Sequence, residues 1–278
     1  MKRILTIQDI SCVGKCSLTV ALPVLSAAGL ETCVLPTAVL SCHTGFSSFT
    51  LHDLTPDIAG IERSWEQEHF SFDAVYTGYL SSAEQVSLVQ DIVKRFLRPG
   101  GLFLVDPAMA DHGKLYPGFD MQFAHTLGGL CRSADVAVPN LTEAAMILNQ
   151  PYRESGYERS YIQGLLKGLT DMGSRAAVIT GVSFDEEHLG AVAYDSSTDE
   201  FYEHYTKKIE QSFHGTGDLF ASSVTASLMR GKNLQDALRV ATEFTLASIE
   251  KTRADSNPNW YGVNFEEAIP YFLELLNE

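Results

Sequence analysis

A chain of 278 residues buries about three quarters of the surface its unfolded form would expose, so one large core can be stable without disulfide staples. Its 35 acidic and 20 basic residues leave a formal charge of -15. That excludes a nucleic-acid backbone as the main partner, because such binders carry basic patches that release counterions, but it leaves room for a small anionic ligand held by a few local donors. The five cysteines, Cys12, Cys16, Cys33, Cys42 and Cys131, include no CxxC pair and no histidine at zinc-like spacing, which predicts reduced thiols. Met1-Lys2-Arg3 runs into ILTIQ, too short for a signal-peptide core, and no apolar run reaches membrane-spanning length, so a cytoplasmic protein without membrane partners is expected.

Along the chain, short apolar runs alternate with stretches of helical period, the pattern of βαβ units around a parallel sheet. Strands are predicted at RILTIQ (3–8), ETCVLPT (31–37), DAVYTG (73–78), LFLVDP (102–107), DVAVPN (135–140) and RAAVITG (175–181). The intervening helices are predicted over Cys16–Ala28, Ile58–His69, Ala83–Leu97, Met121–Leu130, Thr142–Leu148 and Tyr161–Met172. From Gly190 the pattern changes to two strand-like runs around the polar turn Asp195–Asp199, which predicts an antiparallel hairpin at one sheet edge. Only helices follow, over Leu219–Arg230, Leu234–Arg253 and Phe265–Leu276. No repeat, low-complexity run or linker divides the chain, so a single α/β domain spanning 1–278 is expected.

Open α/β sheets bind ligands beyond the carboxyl ends of their strands. Asp9, Gly78-Tyr79, Asp106, Asn140 with Glu143, and Thr180-Gly181 fall at those ends. In SFHGTGDLFAS (212–222), Gly215 and Gly217 permit close backbone approach at the start of a helix, which makes an anion site. A carboxylate there, Asp218, is electrostatically awkward unless it accepts a proton from a hydroxyl attacking phosphorus. The competing reading is that Thr216 or Asp218 only caps the helix.

Asp106 before Pro107, with Asp111 close behind, offers oxygen ligands for a Mg²⁺–phosphate cluster. Asn140 and Glu143 have the spacing of a capping box, as do Ser81 and Glu84 after Tyr79. SCHTGF (41–46) supplies His43 and Thr44, which are ordinary loop residues by themselves. Neither GxxxxGK[ST] nor a GxGxxG after the first strand is present, which weighs against a P-loop enzyme and a nicotinamide-dependent oxidoreductase.

The blocks LTIQ, SCHTGF, TGYLSSAEQ, VDPAMAD, VPNLTEA and HGTGDLFA occur in the order and spacing of the pyridoxal kinase branch of the ribokinase-like superfamily, which the chain resembles over nearly its full length. The resemblance implies a three-layer α/β/α fold with a central, mostly parallel sheet and a small antiparallel edge. It also implies a homodimer that phosphorylates the 5′-hydroxymethyl group of B6 vitamers with ATP and Mg²⁺, with K⁺ as a further ion. On that resemblance Asp218 is the general base, and Gly215, Thr216 and Gly217 form the anion hole. Asp106 and Glu143 organise metal and ATP phosphates with Asp111, and Thr180 and Asn140 lie beside the nucleotide. Asp9, His43, Thr44 and Tyr79 fall on the substrate side, and Tyr116 where the family closes over the phosphates.

The chain departs from the family at Asp9, where serine is usual. A carboxylate there favours a cationic partner and predicts a tilt toward pyridoxamine. The related hydroxymethylpyrimidine kinases carry Gly-Gly-Ala-Gly after the first strand, against SCVGKCS here. That kinase activity and a non-catalytic B6-binding protein are the alternative readings. Loops 42–55 and 111–119 are expected to close over the site.

Overall fold

The computed structural model describes residues 1–278. The first half comprises β1 (Arg3–Ser11), α1 (Leu18–Ala27), β2 (Glu31–Leu40), β3 (Leu51–Asp53), α2 (Thr55–Gln67), β4 (Phe72–Thr77), α3 (Ala83–Phe96) and β5 (Leu97–Val105). After it come β6 (Ala110–Asp111), β7 (Lys114–Leu115), α4 (Met121–Cys131), β8 (Val136–Ala137), α5 (Leu141–Ile147), α6 (Arg159–Met172) and β9 (Ala176–Val182). The chain continues with β10 (His188–Asp195), β11 (Glu200–Lys207), α7 (Thr216–Met229), α8 (Leu234–Ala254) and α9 (Phe265–Asn277). No helix is long and apolar enough to cross a membrane.

Nine strands form one sheet in the order β11-β10-β9-β8-β5-β4-β1-β2-β3. The interior pairs are parallel, while β10 and β11 run antiparallel at one edge and β3 at the other. Strand side chains alternate between two cores, as the period of two dictates. Ile4, Ala74, Leu104 and Val178 pack with α1, α7, α8 and α9, whereas Leu5, Val75, Phe103 and Ile179 pack with α3 to α6. These two cores make the expected three-layer α/β/α architecture. At the centre of one layer α7 is buried from Leu219 through Ser227; Ser223 and Thr225 donate to the carbonyls of Leu219 and Ala221, whereas the buried hydroxyls of Ser222 and Ser227 have no partner.

The predicted helices and main strands are all present, with boundaries shifted by a few residues. The short pieces were not foreseen: β3 adds an edge strand inside loop 42–55, and β6 with β7 forms a separate hairpin over Ala110–Leu115, at the start of loop 111–119. The capping pair before α3 is displaced by one residue, since Ser82, not Ser81, accepts from Gln85 N, and Ser81 N donates to the Gln85 side chain.

Candidate active site

Helix α7 is preceded at its N-cap by Gly215, whose φ of 75° is left-handed and which supplies no side-chain cap. Thr216 Oγ1 donates to Phe213 O, so neither Thr216 nor Asp218 caps the helix, and its first N–H groups stay directed outward with the positive end of the dipole. Gly215 is obligatory for a second reason. A Cβ there would stand 1.9 Å from Lys15 O, in the loop between β1 and α1. The start of α7 and that loop are therefore packed backbone to backbone.

Asp218 is the third residue of the helix and is half-buried. Burial raises its carboxyl to about 7, against the lowering effect of the Ser17 backbone N–H, and the Asp9 carboxylate pushes it up further. Asp9, at the carboxyl end of β1 where the pairing with β2 shifts register, is itself buried and raised, chiefly by desolvation, with the Ser17 hydroxyl opposing. Ser17 thus serves both acids. It does so from φ 49°, ψ -129°, a conformation normally left to glycine, and although it occupies the N-cap position of α1 its side chain does not cap. The sequence reading missed Ser17; a serine directly before the apolar run of α1 looked like an ordinary helix start.

Across the site, Glu143 Oε2 accepts from Asn140 N at 2.8 Å and Oε1 from Met109 N at 3.0 Å. Asn140 Oδ1 accepts in turn from Glu143 N, completing the capping box, and its Nδ2 donates to Ala110 O at 2.7 Å. Both polar ends of the Asn140 side chain are thus engaged in holding Glu143 and the β6 segment. Glu143 is raised to about 8 by burial, despite its backbone donors, and Asp106 is raised by burial, by Glu143 and by Asp218.

Buried acids this close share protons until a cation joins them. No three His, Cys, Asp or Glu side chains form a metal cage. The Asp106–Glu143 pair nevertheless suits Mg²⁺, which keeps several waters and takes one or two carboxylates together with phosphate oxygens. Asp111 lies near enough to raise Glu143 but is exposed, and its carboxylate accepts from His112 N. Tyr116 sits within the field of Glu143, Asp111, Asp106 and Asp218, and its hydroxyl is raised by burial and by those acids.

On the Asp9 side, Tyr79 is raised by burial and by Asp9, and stacks on Phe119 with ring centroids 5.5 Å apart. His43 is buried between Gly14 and Gly45, where added Cβ atoms would lie 2.4 and 2.7 Å from its ring. Its Nδ1 accepts from Gly45 N, and its ring packs on Phe46, His214 and Trp260, while Thr44 is exposed. Thr180 bridges to Asn140 at the carboxyl end of β9. The sequence reading also missed Phe119 and the aromatic pair Trp260-Tyr261, which reach the site only through tertiary packing.

Comparison with known proteins gives the family and the fold. The phosphomethylpyrimidine kinase family model matches residues 22–260. A solved Bacteroides thetaiotaomicron protein, provisionally described as a phosphomethylpyrimidine kinase and crystallised with pyridoxal, is 37% identical with a TM-score of 0.93, covering 98% of this chain and 95% of its own. Pyridoxal kinase from Lactobacillus plantarum is 28% identical with a TM-score of 0.90, covering 99% and 98%. The thiamine biosynthetic bifunctional enzyme of Arabidopsis thaliana is 28% identical over 80% of this chain, which spans only 42% of that enzyme's length. With Asp218 at an open helix N-terminus, paired acids across from it and a family match along most of its length, the chain belongs to the phosphomethylpyrimidine kinase family, in the ribokinase-like group that includes pyridoxal kinases.

Proposed function

We propose that this kinase transfers the γ-phosphoryl group of ATP to the 5′-hydroxymethyl group of a B6 vitamer. The observation that carries the reading is Asp218, a carboxyl raised to about 7 beside the uncapped N-terminus of α7. A base poised near neutral pH accepts the hydroxyl proton most effectively as the oxygen attacks. The N–H groups around Gly215, Thr216 and Gly217 offset charge on the transferring group, which needs positioning and electrostatic support more than covalent chemistry. Asp106 and Glu143 would hold Mg²⁺, whose charge would neutralise phosphate oxygens. Asn140 and the backbone of Met109 orient Glu143 for that role.

On this reading Tyr79 and Phe119 form the apolar wall for the ring, and buried Asp9 faces a cationic group. A buried carboxylate costs least when paired, so the aminomethyl group of pyridoxamine suits it better than the aldehyde of pyridoxal. Hydroxymethylpyrimidine is the second reading, favoured by the family model and by the thiamine-enzyme relative. The deciding experiment offers pyridoxal, pyridoxine, pyridoxamine and hydroxymethylpyrimidine separately with Mg·ATP and detects the phosphorylated product by mass. Product from a B6 vitamer supports the proposal; product from the pyrimidine alone replaces it.

A further inference from the structure

A cavity of about 620 Å³ opens at the end of the sheet opposite Asp218, where the parallel strands begin. Lys2, Arg98, Arg175 and Lys232 line it, outnumbering the carboxylates of Asp73 and Asp195 four to two in a chain whose net charge is -15. Both carboxylates are already engaged: Asp73 accepts from Arg3 N and pairs with Arg98, and Asp195 accepts from the backbone and hydroxyl of Ser197.

The cations keep unused donors. Lys232, half-buried on the turn between α7 and α8, forms no ion pair, and Arg175 meets Asp135 only through Nε at 3.5 Å. Lys2 Nζ donates to Met229 O, which leaves two of its three protons free. Asn233 and Leu234 bring the positive end of the 21-residue helix α8 to the same mouth. Leu102, Val136, Met229 and Tyr202 supply an apolar wall.

We infer that this cavity binds a phosphomonoester carrying a ring. Two surplus cations match a dianion, arginine and lysine donors suit phosphate oxygens, and the apolar wall takes the ring. The volume lies within the range of small-molecule pockets, roughly 300–1,000 Å³. The site is separate from the catalytic edge: α7 begins at Thr216 and ends at Met229, so its length, on the order of 20 Å at 1.5 Å per residue, separates the two.

The test titrates three probes calorimetrically, pyridoxine 5′-phosphate, adenosine 5′-monophosphate and inorganic phosphate, into the native protein, Arg175→Ala/Lys232→Ala and Asp218→Asn. Pyridoxine 5′-phosphate is used because it has no aldehyde to form imines with lysines. Arg175 is exposed and Lys232 forms no ion pair, so the double variant is expected to fold and to keep native kinase turnover. The expected result is an ester-binding event that survives Asp218→Asn, weakens at least tenfold in the double variant and weakens with added salt. Whichever ester binds more tightly identifies the source. Absence of ester binding, binding unmoved in the double variant, or inorganic phosphate binding as tightly as both esters would overturn the inference. Failure of the kinase reading shows instead as absence of phosphorylated product and leaves the binding result intact.

Discussion

Ser17, held at a positive φ of 49°, stands beside Asp218, where its backbone N–H opposes the rise that burial imposes on the carboxyl. Holding a non-glycine residue in that region costs about 1–3 kcal/mol, a strain sustained where Ser17 offers its hydroxyl to Asp9 and its N–H to Asp218. Ser17→Gly keeps the N–H and relieves the strain while giving up the hydroxyl beside Asp9, so turnover should stay within about threefold of native and the relieved strain should offset the lost contact. Ser17→Pro removes the donor and fixes φ near -65°, and should lower turnover at least about tenfold. Steady-state kinetics with urea denaturation on both variants checks this; equal turnover in the two would remove Ser17 from the positioning of Asp218.

Asp218→Asn should lower kcat by about 10²–10⁴-fold, the usual contribution of a general base, with ATP affinity little changed. Its Tm should not drop, because a neutral amide escapes the desolvation that raises the native carboxyl to about 7. Near-native kcat would exclude Asp218 as the base.

Gly215→Ala and Gly217→Ala should separate packing from substrate approach. At Gly215 the new methyl meets Lys15 O at 1.9 Å, so the variant should lose about 1–3 kcal/mol of stability along with turnover. At Gly217 nothing lies within 4 Å, so that variant should fold with native stability and lose turnover only through crowding of the phosphoryl group. Comparable destabilisation of both variants would contradict this division.

The ligand-free protein should become less stable as pH rises. Glu143 at about 8 and Asp218 at about 7 stand above their unfolded values near 4. The stability tied to their neutral forms is complete below about pH 4 and is lost as pH climbs through 7 and then 8. Mg·ATP should shrink the loss, since a cation among the acids favours their charged forms. Melting curves from pH 5 to 9, with and without Mg·ATP, would show it; a ligand-free Tm flat across that range would contradict the raised acids.

Asp9→Ser should reduce the pyridoxamine-to-pyridoxal ratio of kcat/KM by about tenfold, roughly the 1.4 kcal/mol of one modest ionic contact. An unchanged ratio would show that Asp9 faces no cationic group.

Much of this site was legible in the sequence because its acids sit where strands end. Asp9, Asp106 and Glu143 follow apolar runs whose period fixes both the strand and its direction, and the box from Asn140 to Glu143 is local chemistry. Ser17 was not legible, because its role lies beside Asp218, about 200 residues away, and its positive φ leaves no mark in the letters. The three-residue β3 and the β6–β7 hairpin are too short to carry a period. The Ser81-to-Ser82 displacement shows the usual looseness of helix boundaries, where neighbouring serines offer the same cap.

Lys15 N donates to Tyr261 O, and Lys15 Nζ reaches Glu266 at 2.8 Å, so the loop that abuts Gly215 is clamped by residues about 250 positions downstream. During synthesis β1 therefore exists long before the partners that fix the turn behind it. The turn against which α7 starts is thus braced by the C-terminal segment, so the order of this corner depends on residues 261–266 as much as on β1.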